Sequence, residues 1–324
     1  MSPGKSIVVF RHLSSGWTLT DGWTDELASE IRQRLPDVPV RVATSVPEMK
    51  EAVSTEEIVV TLELPSEVLD EAASLRWVQA LTAGVNSYDH DQLRESDVVL
   101  TSASGVHSEP IAQHAFAYLL AFERGIKRGM EQQREDVWEV FQCGELTDKT
   151  LGIVGLGSIG KRVADVGSAF GMRVIGTKRD TNVTIDAVDQ VLPPADLETV
   201  LNEVDYLVLS CPLTDQTQGL IGRDELEAMD RSAILVNVAR GEVVDEAALI
   251  DTLEADQIRG AGLDVFEKEP LPKESPLWDL SNVVLTPHIA GSGPYYWERC
   301  AELVAENYRH FITGELDAMV NHAV

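Results

Sequence analysis

The chain has 324 residues, 44% of them hydrophobic and without a low-complexity tract, enough for two domains of ordinary size that each bury a core. Acidic residues number 54 against 26 basic ones, a formal net charge of −28, which argues against nucleic-acid binding because phosphates need positive partners. Three unpatterned cysteines (Cys143, Cys211, Cys300), and no His/Cys/Asp/Glu cluster at metal-ligand spacing, indicate neither a disulfide framework nor a metal site.

The acids are spread along the chain and not grouped in runs, and only eight of the basic residues are lysine. This pattern predicts a folded surface suited to concentrated salt, as in halophilic microbes. At about 1 M ionic strength the Debye length shrinks to roughly 3 Å, so surface self-repulsion is screened. Met1-Ser2-Pro3-Gly4-Lys5 lacks the apolar stretch of a signal peptide, and the apolar run 111–122 is too short and too polar to span a bilayer. A cytoplasmic protein with no membrane partner is the expectation.

Taken in chain order, short apolar strands alternate with helix-length segments, which predicts an α/β protein with largely parallel sheets. Candidate strands fall at 6–10, 40–42, 58–61 and 77–80; a second series runs through 150–154, 173–176, 206–209, 233–236 and 283–285. The strand at 150–154 leads into Gly155-Leu156-Gly157-Ser158-Ile159-Gly160. Glycines so placed give a tight turn, a close backbone approach to a pyrophosphate and a close helix–strand contact. The helix expected over 158–170 turns its first amides and its dipole toward the phosphates. A glycine turn alone is a weak sign, but one framed by a strand and an apolar-periodic helix predicts a bound dinucleotide.

In such a fold the next strand usually ends in an acid, about 20 residues past the glycines, that holds the ribose 2′-hydroxyl. Here it ends in Thr177-Lys178-Arg179. Two cations and a hydroxyl suit a 2′-phosphate, so NADP(H) is the expected cofactor, with NAD(H) accepted to some degree. Asp180 follows directly, and a one-residue shift would bring a carboxylate near the ribose.

Further on, Val236-Asn237-Val238-Ala239-Arg240-Gly241 ends an apolar strand in an arginine, Gly262-Leu263-Asp264-Val265-Phe266 leads to Glu269-Pro270, and Leu285-Thr286-Pro287-His288-Ile289-Ala290-Gly291 ends a strand in a histidine. With Cys211-Pro212-Leu213-Thr214 and the segment 307–314, these motifs resemble the D-2-hydroxyacid dehydrogenase family over nearly the whole chain. The resemblance implies two Rossmann-like domains with parallel sheets, the nucleotide domain inserted into the substrate domain. Their bounds would be 1–102 with 290–324 for substrate, and 103–289 for the dinucleotide. It also implies two crossing helices, over 107–129 and 293–311. Their apolar spacing fits: Ile111, Ala115, Tyr118, Leu119 and Phe122 in one, Cys300, Val304, Tyr308 and Phe311 in the other. In the family these helices form much of a two-fold contact, so a homodimer is expected.

The implied reaction is reversible reduction of a 2-keto acid to a D-2-hydroxy acid. It needs a cation for the carboxylate, a proton donor for the developing alkoxide, and a neighbour that keeps the donor protonated. Arg240 suits the first role through its planar fork. His288 suits the second because imidazoles titrate near neutrality. Glu269 suits the third, since a carboxylate beside an imidazolium favours the charged form. Glu267 competes for that place, but the family's glutamate directly precedes the proline. His107 and His114 fall on an expected helix and read as structural.

Carried onto this sequence, the family's cofactor contacts are Gly155, Gly157, Ser158, Ile159, Gly160, Thr177, Lys178, Arg179, Cys211, Pro212, Thr217, Val238, Ala239, Asp264 and Gly291. Substrate contacts would be Ala83, Gly84, Val85, Arg240 and His288. The first three belong to Leu81-Thr82-Ala83-Gly84-Val85-Asn86, which resembles the family loop whose amides hold the substrate carboxylate. Three other readings compete. Formate dehydrogenases share the architecture but carry glutamine where Glu269 stands. Longer phosphoglycerate dehydrogenases add a regulatory domain, whereas this chain ends soon after 307–314. Corepressors of the C-terminal-binding-protein type use the fold as a dinucleotide-dependent binding module; against that role stand the acidic composition and the absence of disordered flanks.

Overall fold

The computed structural model describes residues 5–11, 22–85 and 87–323; Met1 to Gly4 and Asn86, which figure in the expectations above, lie outside them. The chain forms two compact units, Met1–Val106 with Gly293–Val324, and His107–Ser292. The second thus interrupts the first. Both are built on parallel sheets, as the strand pattern predicts.

In the first unit the strands are β1 (Ile7–Phe10), β2 (Val40–Ala43), β3 (Ile58–Thr61), β4 (Trp77–Ala80) and β5 (Val99–Thr101), in the sheet order β2-β1-β3-β4-β5. Successive side chains along a strand point to opposite faces, and where both faces are covered, as along β1 and β3, the strand reads as a nearly unbroken apolar run. Ile7, Val9, Ile58, Val60 and Trp77 share one core with Leu27, Ile31, Val304 and Tyr308. Val8, Phe10, Val59 and Val78 share the other with Met49, Val53, Val68 and Leu93. Burying each such side chain contributes about 1.5–3 kcal/mol.

The end of the chain completes this unit. The helix expected over 293–311 runs from Tyr296 to Thr313. Trp297 stacks on Trp23 with ring centroids 4.7 Å apart, Asn307 Nδ2 donates to the buried Gln79 Oε1 at 3.0 Å, and the Ala323 amide donates to the Leu100 carbonyl at 2.8 Å.

In the second unit the strands are β6 (Thr150–Val154), β7 (Arg173–Thr177), β8 (Gln190–Leu192), β9 (Tyr206–Leu209), β10 (Ile234–Asn237), β11 (Gly260–Leu263) and β12 (Val283–Leu285). The sheet order is β12-β11-β10-β9-β6-β7-β8, every pair parallel. The chain winds outward from β6 through β7 to β8, then returns to lay β9 on the other flank of β6. That reversal leaves a crevice at the carboxyl ends of β6 and β9, where open α/β sheets take their ligands.

One expectation needs correction. The single helix over 107–129 is two helices, Ser108–Glu123 and Ile126–Arg134. Between them Gly125 adopts φ 61°, and the Phe141 ring packs where its side chain would stand. A glycine in the left-handed region just past the last turn is a common helix stop. The apolar spacing runs on past it because Ile126 and Met130 repeat the period, yet these two are exposed and belong to a new helix. Among the described residues, no helix is long and apolar enough to cross a membrane.

Candidate active site

The glycine turn begins with Gly155 at φ 98°, and a Cβ there would lie 2.8 Å from both the amide nitrogen and Cα of Cys211. Only glycine lets β6 and the end of β9 approach this closely. Gly160 packs against the Gly155 carbonyl in the same way, whereas nothing stands within 4 Å of a Cβ built on Gly157. Tight packing at the first and third glycines and open space at the second match the division of labour for a phosphate-binding turn. Ser158, Ile159 and Gly160 open the Ser158–Ala169 helix, and their amides have no intrahelical acceptor. They are available to an anion.

At the end of β7, Lys178 Nζ donates to the Leu156 carbonyl at 3.0 Å, which sets the ammonium beside the glycine turn. Arg179 is exposed. Asp180 Oδ1 accepts from the amide of Asn182 at 3.0 Å, so this carboxylate closes a local turn. Thr177 is buried and its hydroxyl accepts from the Gly155 amide at 3.3 Å, bracing the turn from beneath. Cys211 and Pro212 follow β9. Cys211 is buried, and burial pushes its thiol up to about 11, which disfavours the thiolate. Thr217 Oγ1 donates to the Pro212 carbonyl at 2.6 Å and accepts from the Thr214 amide at 2.8 Å, tying its own loop together.

Arg240 leaves the end of β10 just after Val238 and Ala239. Its setting depends on Asn237, which the motif reading did not single out. That buried amide accepts from the Ala239 amide at 3.0 Å and donates to the Arg240 carbonyl at 2.9 Å. The following Gly241 has the Phe266–Glu267 peptide pressed against it, so the end of β10 and the loop after β11 lie in contact. A polar residue closing the apolar strand Ile234–Asn237 was the available clue.

Glu269 Oε1 accepts from the Phe266 amide at 3.1 Å, and Glu269 Oε2 lies 2.7 Å from His288 Nδ1. The competing Glu267 is engaged elsewhere, accepting from the Glu246 amide at 3.2 Å while its own amide donates to the Glu246 side chain at 3.2 Å. His288 follows β12 with φ 53° and is exposed, so Nε2 is the ring nitrogen left for a ligand. Asp264 holds the backbone that follows His288. It is 1% exposed, and its carboxylate accepts from the Ile289 and Ala290 amides at 2.9 and 2.8 Å and from the Thr286 hydroxyl. Two histidines brace the same stretch: His114 Nε2 lies 2.9 Å from Thr286 Oγ1, and His107 Nδ1 lies 3.0 Å from the carbonyl of Gly291.

In the first unit, the loop after β4 is fixed by its carbonyls. Leu81 accepts from the Tyr296 hydroxyl, Thr82 from the Ala103 amide at 2.9 Å, and Gly84 from the Thr82 hydroxyl at 2.7 Å. Among the described residues none accepts from the amides of Ala83, Gly84 or Val85.

A phosphate-binding turn at the switch point of a parallel sheet, with a guanidinium, a carboxylate and an imidazole on neighbouring strand ends, is the equipment of a nicotinamide-dependent dehydrogenase. Comparison with known proteins narrows the class. The model of the D-isomer specific 2-hydroxyacid dehydrogenase NAD binding domain matches residues 116–290. A glyoxylate reductase of Korarchaeum cryptofilum (strain OPF8) is 38% identical over 270 residues, 81% of this chain and 80% of that one. A D-3-phosphoglycerate dehydrogenase of Methanocaldococcus jannaschii is 31% identical over 302 residues, 90% of this chain but 56% of that one. The structure of a D-isomer specific 2-hydroxyacid dehydrogenase from Xanthobacter autotrophicus Py2, in complex with NADPH and MES, matches with a TM-score of 0.79 at 28% identity, over 99% of this chain and 98% of that one. The chain belongs to the D-isomer specific 2-hydroxyacid dehydrogenase family.

Proposed function

We propose that the enzyme reversibly reduces a small 2-keto acid to the D-2-hydroxy acid, with NADPH as the preferred donor. The carrying observation is the 2.7 Å contact between His288 Nδ1 and Glu269 Oε2, which fixes the ring and leaves Nε2 for the substrate. When bound, the nicotinamide cofactor would supply the hydride for the keto carbon. His288 donates the proton from Nε2 to the keto oxygen, and in the oxidation direction takes it back from the hydroxyl. Glu269 holds the imidazole in one tautomer and orientation. Arg240 binds the substrate carboxylate and polarises the keto group with donors that keep their charge. The amides of Ala83, Gly84 and Val85 are further ligands for the carboxylate. Gly155, Gly157, Ser158, Ile159 and Gly160 hold the pyrophosphate, with Cys211, Pro212, Val238, Ala239 and Gly291 lining the rest of the cofactor's path.

Glyoxylate is the first substrate to assay, because a glyoxylate reductase is among the relatives. Steady-state assays of glyoxylate, pyruvate and larger 2-keto acids with NADPH and NADH test the reading; absence of reduction of every keto acid overturns it. Within it, Arg240→Lys is expected to lose about 10–10³-fold in kcat/KM, because a point ammonium cannot reproduce a bidentate fork. Unchanged keto-acid kinetics would remove Arg240 from the site.

A homodimer belongs to this reading. Ile126, Met130 and Val137 are exposed, and Trp138 is 97% and Val140 90% exposed, apolar surface of the kind that a second copy covers.

The reading extends to the surroundings of the enzyme. With a net charge of −28, the protein is expected to keep its circular dichroism and activity in molar potassium chloride and to lose them on dialysis into dilute buffer, where screening fails. Full stability at low ionic strength contradicts a halophilic origin.

A further inference from the structure

We infer that Thr286, backed by His114 and Tyr118, is a positioning residue that sets the turn carrying His288. The inference rests on the reading that His288 moves the proton. His288 sits at φ 53°, where a side chain other than glycine costs about 1–2 kcal/mol. Such a residue persists only where its surroundings over-determine it. Asp264 supplies that constraint. Its carbonyl accepts from the His288 amide at 2.9 Å, and its carboxylate accepts from Ile289 at 2.9 Å and Ala290 at 2.8 Å. Three successive amides therefore close on one residue.

What orients the carboxylate is the hydroxyl of Thr286. A hydroxyl has one proton and two lone pairs. The proton goes to Asp264 Oδ1, so the lone pairs face donors, and two are in place: the Tyr118 hydroxyl and His114 Nε2 at 2.9 Å. Burial pushes the His114 pKa down and the Tyr118 pKa up, so the first is a neutral ring with its proton on Nε2 and the second stays a phenol. The His114 ring also meets Tyr118 edge-on, centroids 4.9 Å apart. Every proton in the chain Tyr118 and His114 to Thr286 to Asp264 then has one acceptor, and the carboxylate has one orientation. None of these groups is needed to touch substrate. They act through the ring that does, and a misplacement of about 1 Å in such a group costs on the order of 10²-fold.

Thr286→Val keeps the shape and removes the hydroxyl. We expect kcat to fall by about 10–10²-fold with the KM for keto acid and cofactor within about threefold, and Thr286→Ser to restore most of the loss. His114→Gln, which keeps an N–H donor, should exceed His114→Leu, and Tyr118→Phe should lose part of the turnover. The deciding measurement is the double variant Thr286→Val/His288→Gln. If Thr286 acts through His288, the double variant turns over no more slowly than His288→Gln alone; an independent structural defect multiplies the two losses and overturns the inference. Wild-type turnover in Thr286→Val also overturns it. Should Thr286→Val fail to fold, Tyr118→Phe against wild type, each with and without His288→Gln, makes the same comparison. If His288→Gln itself turns over normally, the reading of His288 has failed and the inference falls with it; if His288→Gln collapses while Thr286→Val is unaffected, the inference alone has failed.

Discussion

Turnover of His288→Gln with a 2-keto acid and NADPH is expected to be lower than wild type by about 10²–10⁴-fold, the usual worth of a placed general acid, or about 3–5 kcal/mol of barrier. Glutamine fills much of the imidazole's space and can hydrogen-bond a keto oxygen, but it has no proton to give at neutral pH. The loss is expected in kcat, because the groups proposed to hold the carboxylate and the pyrophosphate, Arg240 and the Gly155–Gly160 turn, are untouched. NADPH binding followed by protein fluorescence should change little. The backbone should also keep its course, since the amide of residue 288 still reaches the Asp264 carbonyl. Single-turnover mixing of enzyme and NADPH with keto acid separates the chemical step from product release. Near-normal turnover in that experiment would take His288 out of the mechanism and leave its 2.7 Å contact with Glu269 as a structural pair.

The sheets were legible because both faces of each are buried, so their strands stand out as apolar runs such as Ile-Val-Val-Thr at Ile58–Thr61 and Tyr-Leu-Val-Leu at Tyr206–Leu209. Three strands escaped: Gly260–Leu263, whose two glycines dilute its apolar run, and two short edge strands. Val99–Thr101 and Gln190–Leu192 have three residues each and lie at sheet edges, where a short run resembles a loop. The helix break at Gly125 escaped because periodicity reports spacing and not the face on which the apolar residues fall. At the proposed site, Arg240, Glu269 and His288 stand out in the sequence since each closes a motif with its own local pattern. Their supports do not. His114 meets Thr286 across 172 positions of sequence, and for Asn237 the one clue, a polar residue closing an apolar strand, does not specify its pair of hydrogen bonds to its neighbours' backbone. Thr177 and Asp264 carry a second task that their motif positions do not announce: buried hydrogen bonding to the glycine turn and to the His288 turn.

Catalytic efficiency with NADPH is expected to exceed that with NADH, and Lys178→Ala/Arg179→Ala is expected to narrow the gap by lowering kcat/KM for NADPH by about 10–10²-fold, the scale of one or two charge-assisted hydrogen bonds. The preference depends on what replaces the usual acid at the end of the second strand of the fold. An acid there accepts from a ribose 2′-hydroxyl and repels a 2′-phosphate. Here Lys178 follows β7, its ammonium 3.0 Å from the Leu156 carbonyl in the glycine turn, with further N–H donors to spare. Arg179 beside it is exposed and offers a planar fork for phosphate oxygens. Asp180 would reverse the preference if its carboxylate took the acid's place, but its Oδ1 accepts from the Asn182 amide at 3.0 Å and the Asn182 side chain at 3.4 Å. NADH lacks the 2′-phosphate and has nothing to gain from either cation, so its kcat/KM should stay within about threefold of wild type in the double variant. Molar salt weakens exposed charge pairs, so the ratio of the two efficiencies should be measured across the same potassium chloride series used for stability and should be largest at the lowest salt that keeps the protein folded. A clear preference for NADH, or undiminished NADPH use by the double variant, would show that the two cations serve the acidic surface and not the cofactor.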